Sequence, residues 1–183
     1  MNAGAVAMER IVLRDGVSLD DVDDARLARG WRVANLVTAR PGVPAQQLLL
    51  TRDRRHLMHV VDDAQLGVRY LVVSGPEPSV VRREIEAALP TVDEESLRGA
   101  LAAGEPRALG LAALMCTAAR PDVLQAFDRA FVDRVEAVRV AALVAAAYAR
   151  WPELEPRIAR VAQTDPSASL RERALLILDA WPT

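Results

Sequence analysis

Two histidines, His56 and His59, are the first residues to weigh for chemistry, because imidazoles bind metals and move protons near neutral pH. In an extended chain an odd separation sends them to opposite faces, so the pair reads as structural. Asp62-Asp63 offers hard oxygen donors for a cation, but no further carboxylate lies nearby in sequence and a polar turn accounts for both. Ser74-Gly75-Pro76 precedes a helical stretch, as phosphate loops do. The P-loop and dinucleotide spacings are missing, and Glu77 would repel an anion there. Asp20, Asp21, Asp23 and Asp24 crowd a helix start and read as a solvated acidic turn. Cys116 is the only cysteine, which rules out an internal disulfide and a Cys-based zinc site. Lysine is absent: all 23 cations are arginine, as coding bias in a GC-rich bacterial genome produces. Schiff-base and lysine general-base mechanisms are therefore closed to this chain. With no Gly-x-Ser-x-Gly, His-Glu-x-x-His or paired-Cys motif, no residue is assigned a catalytic, cofactor-binding or metal-binding role.

The chain must nevertheless build a core. It has 183 residues, 51% of them hydrophobic, enough for one large domain or two small ones. The formal net charge is −2, with 12 Arg against 12 Asp+Glu in residues 1–90 and 11 against 13 in residues 91–183. Neither half is the basic body that nucleic acid usually requires, so nucleic acid is a disfavoured partner. No apolar run approaches the roughly 20 residues of a membrane span. Residues 1–7 are too short and uncharged for a signal peptide, so the expected compartment is the cytoplasm.

Residues 1–90 carry mixed periods. Residues 1–8 read as a tail, and Glu9 to Arg14 as a short strand stopped by Asp15-Gly16. Ser18 with Asp21 has the spacing of a capping box, and Gly30 is placed to end the helix Leu19 to Arg29. Strands are then expected over Trp31 to Ala39, Gln46 to Thr51, His56 to Val61 and Val68 to Ser74, joined as a four-stranded meander. A helix from about Glu77 to Leu89 follows, with Val80, Val81, Ile85, Ala88 and Leu89 as its apolar stripe. The order β-α-β-β-β-β-α describes a small antiparallel-sheet domain of the α+β class.

From Thr91 the pattern is helical, with helices expected at 93–103, 105–119, 121–132, 136–150, 153–163 and 168–181. One motif recurs 32 residues apart. Asp133, Val138-Arg139, Ala142-Leu143 and Trp151-Pro152 are matched by Asp165, Leu170-Arg171, Ala174-Leu175 and Trp181-Pro182. Arg107, Gly110-Leu111 and Arg120-Pro121 form a weaker copy. A fixed period within helical sequence means stacked helix pairs, here a three-repeat α-solenoid.

The motif Asp-x4-Val/Leu-Arg-x2-Ala-Leu resembles the short HEAT repeat of the phycobilisome-lyase type. The resemblance covers about residues 91–183 and implies that Asp133 and Asp165 cap the turn within each unit. It implies also that Arg139 and Arg171 join neighbouring units in a polar ladder. In the first unit Leu101 stands where Asp would be and Pro106 where an apolar residue would be, although Arg107 is kept. No family is recognised in residues 1–90.

In HEAT units the second helix lines the concave, binding surface. Offsets counted from each arginine place three rows there: Ala108, Leu109, Ala112, Met115 and Cys116; Val140, Ala141, Val144, Ala147 and Tyr148; and Glu172, Arg173, Leu176, Asp179 and Ala180. Leu170, Ala174, Leu178 and Trp181 should face the core of the third unit. The first two rows are apolar for a solvated surface. The reading is a non-enzymatic interaction module, an adaptor, inhibitor or regulatory subunit that takes a protein or peptide on that face. The partner-binding residues are expected to be Val140, Val144, Tyr148, Glu172, Arg173, Leu176 and Asp179. The alternative is a HEAT-repeat enzyme or a small-molecule or nucleic-acid binder, as bilin lyases and alkylpurine glycosylases are. With no polar capping helix after the third unit, a homodimer is a further expectation.

Overall fold

The computed structural model describes residues 7–41, 43–105 and 107–181. Pro106 and Pro182, each given a place in the sequence reading, lie outside them, as does most of the expected tail at 1–8. The chain forms two compact units, Met1–Asp93 and Glu94–Thr183.

The first unit is a five-stranded antiparallel sheet with two helices. Its elements are β1 (Met8–Val12), α1 (Leu19–Arg29), β2 (Arg32–Val37), β3 (Ala45–Leu50), β4 (Leu57–Asp63), β5 (Val68–Ser74) and α2 (Pro78–Glu86). The strand order is β1-β5-β4-β3-β2. The meander from β2 to β5 is therefore as expected, and β1 extends it by pairing with β5, Ile11 opposite Leu71. Met8 belongs to that strand and not to a tail.

Side-chain alternation sends Ile11, Leu49, Met58, Val60, Leu71 and Val73 into one core with Val22 and Ala25 of α1 and Val81 and Ile85 of α2. Ser18 caps α1 reciprocally with Asp21, and Gly30 closes it in the left-handed region at φ 67°. Val80 departs from the expected apolar stripe of α2 and is 38% exposed. The nine-residue helix has one inward stripe, Val81 and Ile85, with buried Leu89 just beyond its end, and Val80 is one position off it.

The second unit contains α3 (Glu94–Ala103), α4 (Ala108–Met115), α5 (Pro121–Phe131), α6 (Glu136–Ala149), a 3₁₀ turn at Pro152–Leu154, α7 (Glu155–Thr164) and α8 (Ala168–Asp179). Consecutive helices pack as pairs: α3 on α4, α5 on α6, α7 on α8. Alternate helices pack as well, with α4 on α6, α6 on α8, α3 on α5 and α5 on α7. Helix α4 is much shorter than the expected 105–119. Its sequence, ALGLAALM, has no polar side, and every residue from Ala108 to Leu114 is buried. A helix that is apolar all round has no face to give to water. Ala108, Leu109 and Ala112 are therefore core residues, which corrects their expected place on an open surface.

Candidate functional site

Three side-chain arrangements in the second unit bear on function. The first is polar and buried. The Arg139 guanidinium meets the Asp165 carboxylate edge-on, Nε donating to Oδ2 at 2.8 Å and Nη2 to Oδ1 at 3.2 Å. Its remaining nitrogen, Nη1, donates to the carbonyls of Asp133 at 2.8 Å and Arg134 at 3.4 Å. Asp165 also turns the chain into α8, since its Oδ1 accepts from the Ser167 amide at 2.8 Å. Thirty-two residues earlier Asp133 does the same for Val135, again at 2.8 Å. Arg171 repeats the Arg139 contact by donating to the Asp165 carbonyl at 2.6 Å.

Burial raises the Asp165 carboxyl, but hydrogen bonds from Arg139 and the Ser167 amide, with the nearby arginine charges, outweigh it and hold the group below its ordinary value. The same bond to Asp165 raises Arg139. Ions satisfied this completely are fastened rather than poised for proton transfer. Arg107 has an ion pair with Glu105 at 3.6 Å, so the first helix pair of the second unit keeps its arginine with a different acidic neighbour.

The second arrangement contains the expected partner-binding residues. Val140, Val144 and Tyr148 follow one another at four-residue spacing on α6 and are half-buried. Glu172, Arg173, Leu176 and Asp179 lie on the neighbouring α8 and are exposed. Leu176 is 72% exposed, and Leu175 beside it 57%. Leu170 and Ala174 point inward as expected, whereas Leu178 and Trp181 are only half-buried. The structure thus places the seven residues on two packed helices, with the α6 members partly covered and the α8 members open.

The third arrangement was missed in the sequence. A cleft of about 470 Å³ runs between α7 and the α5–α6 connection. Phe131, Val132 and Val161 give it an apolar lining, and Arg134, Arg160 and Thr164 stand among its polar residues. Two further arginines there are occupied: Arg139 as described, and Arg157, which clasps Asp128 at 2.7 and 3.0 Å and the Glu153 carbonyl at 2.7 Å. Among the described residues the guanidinium groups of Arg134 and Arg160 have no ion-pair or hydrogen-bond partner. Both are exposed. A signal for them was present. Subtracting the 32-residue period from Arg134, Arg157 and Arg160 gives Ala102, Gln125 and Asp128, so this basic cleft is not part of the repeat pattern.

In the first unit, His56 donates from Nε2 to the Pro76 carbonyl, and its own amide donates to Thr51 Oγ1 at 3.1 Å. His59 is hydrogen-bonded through Nδ1 to Gln46 Oε1 at 3.2 Å. Asp63 is buried and accepts from the Gln65 and Leu66 amides at 3.0 and 3.1 Å, which is the work of a turn. Among the described residues no group of three or more His, Cys, Asp or Glu is placed to hold a metal ion. Burial pushes the Cys116 thiol up, away from the thiolate form a nucleophile needs. No helix among the described residues is long and apolar enough to cross a membrane.

Comparisons with protein-family models, curated proteins and solved structures find no match to this chain.

Proposed function

We propose that residues 91–183 are a short HEAT-like solenoid, and that the chain is a non-enzymatic module that binds a protein or peptide across α6 and α8. The observation that carries this reading is the open apolar surface of α8. Leu175 and Leu176 stand in solvent between Glu172, Arg173 and Asp179, on a helix that packs against α6 with its half-buried Val140, Val144 and Tyr148. Apolar side chains ringed by charge are the usual composition of a binding face. The HEAT-like part is supported by the repeated Asp and Arg hydrogen bonds and by the packing of alternate helices. A cytoplasmic setting fits a chain whose single cysteine has no possible partner within it.

Affinity capture from a lysate with mass spectrometry tests the reading. Tyr148→Ala and Arg173→Ala should each reduce recovery of the same partner at least tenfold, because Tyr and Arg are frequent interface anchors. Unchanged recovery by both variants would sink it. If the partner is a second copy, light scattering should give a mass that rises with concentration and falls in Leu176→Glu.

A further inference from the structure

Apart from Arg139 of α6, the cleft beside α7 is lined from other elements than the α6–α8 row, and its composition suits a different ligand. We infer that it binds an acidic peptide segment, with an apolar side chain seated against Phe131 and Val161 and flanking carboxylates on Arg134 and Arg160.

Four observations lead there. Arg134 and Arg160 are the cleft arginines that the fold does not use, since Arg139 and Arg157 are consumed by Asp165 and Asp128. The period supplies the second observation. At the corresponding positions of the preceding repeat stand Ala102 and Asp128, so the architecture does not require a cation at either place. Third, Phe131, Val132 and Val161 stand among the charged lining residues, where a solvated ionic patch would be polar throughout, with Val132 77% exposed. Fourth, a volume of about 470 Å³ lies in the range of a site for a few residues.

Charge complementarity selects the ligand. An arginine fork matches the planar carboxylate group, two forks need two of them, and the apolar lining needs something between. A nucleic-acid strand is a poorer fit. It would bring a continuous line of phosphates to a cleft with two unengaged arginines, on a stretch with 11 Arg against 13 Asp+Glu in residues 91–183.

Selection from a phage-displayed library of random 12-residue peptides on the full chain tests the inference. The expected winners carry an apolar residue flanked by Asp or Glu. The affinity of a synthetic winner, read by fluorescence anisotropy, should fall at least tenfold in Arg134→Glu/Arg160→Glu and change less than twofold in Tyr148→Ala. Both arginines are exposed and, among the described residues, without partners, so the double variant should keep the wild-type circular dichroism spectrum. The neutral pair Arg134→Gln/Arg160→Gln should give an intermediate loss. Winners without an acidic pattern, or an affinity indifferent to the double variant, would overturn the inference. So would competition by millimolar inorganic phosphate, which would mark a simple anion site, or a tighter complex of a single-stranded or duplex oligonucleotide with the same arginines. The Tyr148→Ala arm separates this cleft from the α6–α8 face, so either can fail without the other.

Discussion

Asp165 performs two tasks with one carboxylate, closing the turn into α8 through Ser167 and holding Arg139 across the helix pairs. Asp165→Asn keeps a side-chain oxygen for the turn but leaves the buried Arg139 without its countercharge. Removing one member of a buried ion pair costs far more than losing a surface pair. The melting temperature should drop by on the order of 10 °C, read by circular dichroism at neutral pH. The pH dependence gives a stricter check. Because the folded state holds Asp165 below its ordinary value, its stabilisation is present above the unfolded carboxylate range and is lost as pH falls through the folded value. The difference in melting temperature between the wild type and Asp165→Asn should therefore be constant from pH 7 to about 5 and close below about pH 4. Asp21, Asp23, Asp53 and Asp122 are also lowered, but they are common to both proteins and cancel in the difference. A gap that persisted unchanged at pH 3 would show that Asp165 acts only as a turn residue.

At the scale of elements, equal sequence positions have met unequal fates. Leu143 and Leu175 hold the same place in the repeat, yet Leu143 is fully buried on α6, which packs on α4, α5 and α8, while Leu175 on α8 is 57% exposed. Leu143→Ala should cost about 3 kcal/mol in chemical denaturation. Leu175→Ala should stay within about 0.5 kcal/mol. Equal losses would contradict the packing. A junction gives a second case. At Gly75, between β5 and α2, φ is 142°, and an added Cβ would lie 2.6 Å from the Arg55 carbonyl and 2.7 Å from the His56 ring. Gly75→Ala should cost about 1–3 kcal/mol for the backbone alone, and more if His56 cannot move.

What was legible in the sequence follows from the range of the interactions. The capped helix α1 and strand β5 rest on local rules and were readable, while the turn roles of Asp133 and Asp165 were implied by the resemblance to the HEAT repeat. The pairing of β1 with β5 joins residues some 60 positions apart, and no local pattern encodes it. The burial of α4 was written in its wholly apolar sequence, but the repeat template assigned it a face. The free arginines were invisible until Arg139 and Arg157 had been shown to be engaged.

For the molecule as a whole, charge decides how a ligand is drawn in. The formal net charge of −2 gives no general attraction for an acidic peptide, and the acids crowding α1 oppose one. Any favourable electrostatic contribution must come from charges within about a Debye length of the ligand, roughly 10 Å at 0.1 M salt. For the cleft peptide the favourable charges are Arg134 and Arg160, opposed by Asp133, because their neighbours Arg139 and Arg157 are already neutralised by Asp165 and Asp128. Affinity should therefore fall several-fold as sodium chloride rises from about 50 to 500 mM in the wild type. The Tyr148→Ala variant should follow the same line, since Tyr148 lies outside the cleft and carries no charge. In Arg134→Glu/Arg160→Glu the slope should vanish or reverse, because added salt then screens a repulsion. Parallel slopes in the wild type and this double variant would mean that the two arginines do not face the bound carboxylates, and the assignment of the cleft would have to be abandoned.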